Sequence, residues 1–214
     1  CRKFDVPIIS GNVSLYNETL GKSIISTPST AVVGVSETDY VVSPQFKKAD
    51  QVVYLVATKS ETTWLGEYAF GLGFPCEGKP QVDLDEAERL CAMFLKLSPL
   101  ASSAQVVGRL GVLGSLFKLC SGGIGARIQL DCPEGYAAEV LVGERFYSGL
   151  WAVDVHQTKS VESLLNAEES WISWKKLGIT GGDSIHVNTQ WTWKLNELME
   201  SHERGLQSIT EKLA

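Results

Sequence analysis

Short apolar runs of strand length alternate with polar segments in the first part of the chain. They read VPIIS at residues 6–10, STAVVGVSE at 29–37 and QVVYLVA at 51–57. Runs of this length, rich in Val and Ile and bounded by turn residues, favour buried strands over helices. Between the first two runs, LGKSIISTP at residues 20–28 predicts a hairpin-like connection marked by Gly21.

Helical periodicity begins after the Gly- and Pro-rich segment at residues 70–83, which predicts a loop. Asp83 and Glu86 form a candidate capping box at a helix start. A second run, roughly residues 105–120, is apolar on nearly all sides, so we expect a helix sandwiched between layers and ending at Gly122. The apolar stripe predicted for the first helix comprises Leu84, Ala87, Leu90, Cys91, Phe94 and Leu95.

Strand and helix signals alternate irregularly in the remainder of the chain. This irregular order predicts an α+β fold, with a mixed or antiparallel sheet packed with helices. The predicted elements are strands at 126–131 and 146–155, the second with a bulge at Gly149, a helix at 160–171, a strand-turn-strand segment at 177–188 and an amphipathic helix at 194–213.

Length and charge restrict the classes of function. The 214 residues are 44% apolar, enough for one large domain or two small ones with a real core. With 25 acidic against 19 basic residues and a net charge of -6, the surface should bind neither nucleic acid nor anionic membranes. No apolar run approaches the roughly 20 residues of a membrane span and the N-terminus lacks a signal-peptide core, so we expect a soluble, cytoplasmic protein. Because the chain begins at Cys1 and enters almost directly into a strand, we also expect a piece of a longer polypeptide.

Residue types that often bind metals are scattered here. The five cysteines form neither a CxxC pair nor an even disulfide set, which favours reduced, mostly buried thiols. The three histidines are far apart, so no metal ligand is predicted. The six tryptophans are not accompanied by a basic patch, so packing is favoured over stacking on a base. These residues are Cys1, Cys76, Cys91, Cys120 and Cys132; His156, His186 and His202; and Trp64, Trp151, Trp171, Trp174, Trp191 and Trp193.

The stretch SGNVSLYNET at residues 10–19 is the candidate binding site. Glycine and small polar side chains directly after a strand can direct N–H groups and hydroxyls at a phosphate or sugar. Composition alone nevertheless favours a self-bonded Asx or ST turn, and no catalytic residue is identified. The candidate substrate- or nucleotide-binding residues are Ser10, Gly11, Asn12 and Ser14, together with Tyr16, Asn17 and Glu18 for a base, an amide or a metal-bound water.

A specific resemblance changes this balance. The segment VPIISGNVSLYNET, followed by STPSTAVVG, resembles the phosphoribosylformylglycinamidine synthase family, whose comparable stretches read PVVSGNVSLYNET and PTPTIGVVG. Ten consecutive residues of such unusual composition are a far stronger signal than a glycine pattern. Weaker similarity continues in the same order through FKKADQVVYLV at 46–56, WLGEY at 64–68 and LGITGGDSIHV at 177–187, so it covers nearly the whole chain.

The resemblance implies an activity and an organisation. The family makes an amidine in purine biosynthesis: ATP and ammonia from glutamine convert formylglycinamide ribonucleotide to formylglycinamidine ribonucleotide. Residues 1–45 would be the tail of the second, ATP-grasping N-terminal domain, and residues 46–214 the C-terminal α+β domain of the aminoimidazole ribonucleotide synthase type. ATP and Mg²⁺ would be bound mainly by the missing N-terminal half. That half, a glutaminase subunit or domain and a small-molecule substrate would be the partners, and a homodimer is possible. The piece alone is expected to be inactive.

One segment departs from the family pattern. The signature S-A-H-D-x-S-D-G-G corresponds to residues 103–111, where Gln105 replaces His and Val106 and Arg109 replace the two Asp residues. If the family's carboxylates hold Mg²⁺ or order a nucleotide phosphate, this chain cannot supply them, because Val offers no oxygen ligand and Arg has the wrong charge for a cation. Arg109 could instead meet a phosphate directly. A non-catalytic paralogue that keeps the fold as a scaffold or regulatory module is therefore the alternative. A selenide or thiamine-phosphate kinase of the wider superfamily is a third, disfavoured by the SGNVSLYNET stretch.

Overall fold

The chain forms two compact units, Cys1–Asp39 and Tyr40–Ala214. The computed structural model describes residues 1–14, 17–24, 26–35, 41–60, 63–64, 66–74 and 81–213, and side chains in the last helix at 195–205 and 207. The division precedes the expected boundary at residue 45 by a few residues. Ser43 illustrates why the second unit begins before residue 45. Its N–H donates to the Ser102 carbonyl, and its own carbonyl accepts from the Ala104 N–H.

The first unit contains one hairpin. Strand β1 (Glu18–Thr19) pairs antiparallel with β2 (Lys22–Ser23), and the turn between them places Leu20 at φ 52° and Gly21 at φ 76°. Two consecutive positive φ values suit the tight turns of β-hairpins. A hairpin turn at Gly21 is therefore present, but it joins β1 to β2 and not the two strands predicted on either side of residues 20–28.

The two strands predicted beside this hairpin are wrong within the described residues. Residues 6–10 and 29–35 have no strand structure, and Ile8, Ile9 and Val33 are each at least 80% exposed. A strand needs a neighbour for its backbone hydrogen bonds and a core for its apolar face. A unit that ends at Asp39 contains too few residues to supply that core.

A seven-stranded sheet forms the centre of the second unit. Its strand order is β11-β10-β6-β9-β3-β8-β5, and only β10 and β6 pair in parallel, so the predicted mixed sheet is confirmed. A separate two-stranded ladder joins β4 to β7. The strands are β3 (Val52–Thr58), β4 (Thr63–Trp64), β5 (Ser103–Val106), β6 (Ala126–Ile128), β7 (Glu144–Arg145), β8 (Ser148–Val153), β9 (Ile172–Thr180), β10 (Ser184–Val187) and β11 (Trp191–Lys194).

Helices cover both faces of this sheet. They are α1 (Gly66–Gly71), α2 (Leu84–Leu97), α3 (Gly111–Cys120), α4 (Ala137–Val142), α5 (Thr158–Ala167) and α6 (Leu195–Leu213), with 3₁₀ turns at Ser98–Leu100 and Val155–Gln157. Within the described residues, no helix combines the length and the apolar character needed to cross a membrane.

Alternate residues of β3 enter two separate cores. Val53 and Leu55 pack on the face covered by α3, α4 and α6, whereas Tyr54 and Val56 pack on the face covered by α2 and α5. This follows from the alternation of side chains along a strand, since both faces of the central strand are buried. The helix residues in these cores are Val112, Leu116, Leu119, Leu141 and Leu195 on the first face, and Leu90, Met93, Leu97, Val161 and Leu165 on the second.

The predicted helix at 105–120 is wrong at its start. Gln105 and Val106 belong to β5 and pair with Leu150 and Gly149, and α3 begins only at Gly111. A continuous apolar run does not distinguish a buried strand from a buried helix. Leu110, at φ 56°, is in the left-handed region and separates the two elements.

The first helix is confirmed, but its buried face differs from the prediction. Asp83 is its N-cap and accepts hydrogen bonds from the N–H groups of Asp85 and Glu86. The fully buried residues are Leu90, Met93 and Leu97, whereas Leu84 and Leu95 are exposed. The buried face is rotated around the helix axis relative to the predicted apolar stripe, because the helix packs on the sheet through the side that carries Met93.

Two local expectations also fail. Of the described cysteines, all of them free, only Cys120 is buried; Cys1 and Cys91 are exposed and Cys132 is half-buried, so the thiols are not mostly buried. Cys76 lies outside the described residues. Gly149 pairs regularly with Val56, and the sheet irregularity lies instead between Val53 and Tyr54.

Candidate functional site

The polar motif surrounds an open concavity of about 1180 Å³ in the first unit. The β1–β2 turn reverses the chain, so the described residues at 12–14 and 17–18 face the same space as those at 23–24 and 26–29. The described residues that line it are Asn12, Val13, Ser14, Asn17, Glu18, Ser23, Ile24, Ser26, Thr27, Pro28 and Ser29.

Four predicted site residues therefore come together, namely Asn12, Ser14, Asn17 and Glu18. Ser10 and Gly11 are described and exposed but are not among these lining residues. Tyr16 lies outside the described residues. The concavity also takes in the hydroxyls of Ser23, Ser26, Thr27 and Ser29, which the sequence analysis did not assign to a site, although STPST belongs to the segment that carries the resemblance.

The chemistry of this concavity is that of neutral hydrogen-bonding groups. Hydroxyls and side-chain amides can both donate to and accept from sugar hydroxyls, phosphate oxygens or an amide. Among the described lining residues only Glu18 carries a charge, and it is negative. A bound phosphate would therefore need its charge balanced by cationic groups from elsewhere.

Two described residues of the motif also contact each other. The Asn17 side-chain amide donates to the Ser14 carbonyl oxygen at 3.4 Å, a long hydrogen bond between exposed groups. This contact is of the self-bonded kind proposed as the alternative reading of the stretch. The same two residues also line the concavity.

The segment that departs from the family pattern forms a second feature. Gln105 and Val106 line a mainly apolar pocket of about 240 Å³ beside β5, together with Phe94, Gly149 and Trp151. Arg109 turns to α1, where its Nη2 lies 3.0 Å from Oε1 of Glu67. It is thus already paired with a carboxylate.

Magnesium does not fit this segment. Within the described residues no group of three or more His, Cys, Asp or Glu side chains lies close enough together to hold a metal ion. At residues 105–109 the Val106 side chain offers no ligand atom, and the Arg109 guanidinium would repel a cation.

The histidines and tryptophans have structural surroundings. His186 bonds to the Thr192 hydroxyl at 3.0 Å, and His202 stacks edge-on against Phe117. Trp151 is buried and packs edge-on against Phe94 at 4.9 Å between ring centroids. The tryptophans that pack, partly buried, against the two cores are Trp171, Trp174, Trp191 and Trp193, which agrees with the packing interpretation.

Comparison with known proteins relates the chain to one enzyme. No family model matches it. It is 32% identical over 213 residues to phosphoribosylformylglycinamidine synthase subunit PurL of Thermus thermophilus, covering 96% of this chain and 29% of the relative. It is 31% identical over 219 residues to the PurL subunit of Bradyrhizobium diazoefficiens, covering 96% of this chain and 28% of the relative.

Solved structures give the same relationship at the level of fold. Thermotoga maritima PurL complexed with ATP matches with a TM-score of 0.57 at 18% identity, over 74% of this chain and 27% of that one. The structure of PurLQS from the same organism matches with a TM-score of 0.57 at 18% identity, over 76% of this chain and 28% of that one.

The chain therefore has an α+β fold of the aminoimidazole ribonucleotide synthase type. By sequence it is a homologue of part of PurL, a subunit of phosphoribosylformylglycinamidine synthase, and the resemblance seen in its motifs is confirmed. It spans less than a third of the length of these curated relatives.

Proposed function

We propose that the chain is the C-terminal portion of a PurL-type phosphoribosylformylglycinamidine synthase and that its concavity forms part of a substrate or nucleotide pocket. The proposal is carried by one observation: the described residues at 12–14, 17–18, 23–24 and 26–29, which belong to the segment with the most specific motif, line one concavity. Residues 1–45 are then the tail of the second N-terminal domain, and residues 46–214 the C-terminal domain. The protein acts in the cytoplasm.

This chain and the rest of the enzyme have different roles in the proposed reaction. ATP phosphorylates an amide oxygen, and ammonia then displaces the phosphate to give the amidine. Such chemistry needs cationic groups directed at the developing phosphate charge. Asn12, Ser14 and the facing hydroxyls are suited to orient a polar ligand, whereas the missing N-terminal half supplies Mg²⁺ and the phosphate-neutralising groups. The piece alone is therefore inactive.

Complexes of the related solved structures support the ligands and partners proposed for the complete protein. Thermotoga maritima PurL is described in complexes with ATP, with AMPPCP and with FGAR. The PurLQS structure supports assembly with a glutaminase subunit. Formylglycinamide ribonucleotide and ATP are accordingly the small molecules proposed for the complete protein.

Isothermal titration of the full-length protein tests the concavity. Asn12→Ala and Ser14→Ala should each weaken binding of formylglycinamide ribonucleotide or AMPPCP about tenfold, because each removes one hydrogen bond to a ligand. Asn196→Ala and Ser163→Ala are matched controls on exposed helical positions and should bind like the wild type. Unchanged affinity in both concavity variants would refute the proposal.

A non-catalytic paralogue is the second candidate. It is favoured by the sequence, in which Val106 and Arg109 stand where the family signature has two Asp residues. Arg109 also forms an ion pair with Glu67. Hydrolysis of ATP that depends on formylglycinamide ribonucleotide, measured on the full-length protein with its glutaminase, would exclude this candidate. Tight ligand binding without turnover would support it.

A further inference from the structure

Helix α1 and the loop between β5 and α3 are joined by charge. The Glu67 carboxylate on α1 lies 3.0 Å from the Arg109 guanidinium in the loop. The Glu67 backbone N–H donates to Oε1 of Glu144 on β7 at 3.2 Å. The first turn of α1 is therefore attached on one side to the β4–β7 ladder and on the other to the β5–α3 loop.

The backbone of this loop is held by contacts within the chain. Leu110 and Gly111 both have positive φ values, 56° and 57°, and a Cβ at Gly111 would lie 2.4 Å from the Gly143 carbonyl oxygen. The Ser115 hydroxyl bonds to the carbonyl oxygens of Gly111 at 2.9 Å and Val106 at 3.2 Å. The family signature has Gly where Leu110 stands, so the left-handed conformation occurs here without the residue that adopts it most easily.

The side chains around this loop are unsuited to a cation. Where the resemblance predicts two Asp carboxylates, the loop presents the apolar Val106 and the positive Arg109. The positive charge of Arg109 would raise the energy of any cation bound beside it. Glu67, a neighbouring carboxylate, is paired with that Arg.

We propose that the Glu67–Arg109 ion pair holds α1 against the β5–α3 loop in place of a divalent cation, so that this region keeps its conformation without Mg²⁺. The inference concerns the second unit alone and does not depend on ligand binding at the concavity.

Hydrogen exchange on the full-length protein, followed by mass spectrometry with and without Mg²⁺ at matched ionic strength, tests this proposal. Peptides covering residues 66–71 and 107–111 should exchange at the same rate in both conditions. Glu67→Gln and Arg109→Gln should each speed their exchange about twofold to fivefold, the range expected when an exposed ion pair is lost. Glu67→Arg combined with Arg109→Glu should restore slow exchange, because the reversed pair can form.

Lys96→Gln is the matched control. It breaks an exposed ion pair with Glu168, 3.1 Å in length, on α2 and should leave both peptides unchanged. Two results would overturn the proposal: slower exchange of these peptides in the wild type when Mg²⁺ is added, or wild-type exchange in both single variants. All the substitutions lie on exposed side chains, so the fold itself should persist.

Discussion

The Tyr54 hydroxyl donates a 2.8 Å hydrogen bond to Oε1 of Glu162 and so joins the central strand β3 to helix α5. Tyr54 is fully buried, and Lys176 Nζ lies 3.4 Å from the same carboxylate oxygen. The hydrogen bond from Tyr54, followed by the contact with Lys176, lowers the pKa of Glu162. Burial, together with this carboxylate, raises the pKa of the Tyr54 phenol. The pair is therefore a neutral phenol that donates to an ionised carboxylate.

We predict that Tyr54→Phe lowers the free energy of unfolding by about 1 kcal/mol at pH 7, the usual net value of one hydrogen bond. The lowered pKa of Glu162 means that this contribution is present above the ordinary Glu value of about 4.3 and is lost as pH falls through the folded-state value. Urea unfolding followed by tryptophan fluorescence should show the difference at pH 7 and its decrease towards pH 3. Tyr136→Phe, at an exposed position, is the control. An equal loss at both pH values would contradict the prediction.

The cap of α2 gives a second prediction. Oδ1 of Asp83 accepts from the N–H groups of Asp85 at 2.9 Å and Glu86 at 3.1 Å. Asp83→Ala should lower the free energy of unfolding by about 1 kcal/mol, because two N–H groups at the helix start lose their acceptor. Asp83→Ser retains a capping oxygen, so its free energy of unfolding should fall much less. If urea unfolding showed equal losses for the Ala and Ser variants, the cap would not be the cause.

The cap was predictable from the sequence because all of its parts lie within four residues. The strands predicted at 6–10 and 29–37 are absent from the described residues 6–10 and 29–35, because a strand depends on a partner that local sequence does not specify. For the same reason the apolar run that begins at Gln105 reads as helix, although its pairing with Leu150 makes it strand. Asn12 and Glu18 were found through their motif, whereas the hydroxyls facing them become neighbours only through the turn at Gly21.

A close approach of two strands gives a third prediction. A Cβ at Gly178 on β9 would lie 2.0 Å from the Arg127 carbonyl oxygen on β6, and backbone atoms cannot move aside easily. Gly178→Ala should therefore lower the free energy of unfolding by about 3 kcal/mol, as overpacking does. At Gly205 in α6, no described atom outside the local helix backbone and the two adjacent residues lies within 4 Å of the new Cβ. Gly205→Ala should therefore be neutral or stabilising by about 1 kcal/mol. Thermal unfolding of the two variants measures the contrast, and similar melting temperatures would contradict it.

Asp154 connects two polar residues at the start of the second unit, and its charge gives the last prediction. Its Oδ2 accepts from Lys48 Nζ at 2.7 Å, and its Oδ1 accepts from the amide of fully buried Gln51 at 2.6 Å. Lys48 is the main cause of the lowered pKa of Asp154. Asp154→Ala removes both acceptors and should lower the free energy of unfolding by about 2 kcal/mol at pH 7.

Asp154→Asn keeps an oxygen for the Gln51 amide but loses the charge, so its loss should be smaller than that of Asp154→Ala. Because the pKa of Asp154 is lowered on folding, the charge-dependent part is present above the ordinary Asp value of about 3.9 and disappears as pH falls through the folded-state value. Urea unfolding from pH 7 to pH 3 should therefore show the free energies of unfolding of Asp154→Asn and the wild type converging. Asp154→Ala should remain less stable than both. If Asp154→Asn and Asp154→Ala lowered the free energy of unfolding equally at pH 7, the stabilisation would come from the carboxylate charge and not from the hydrogen bond to Gln51.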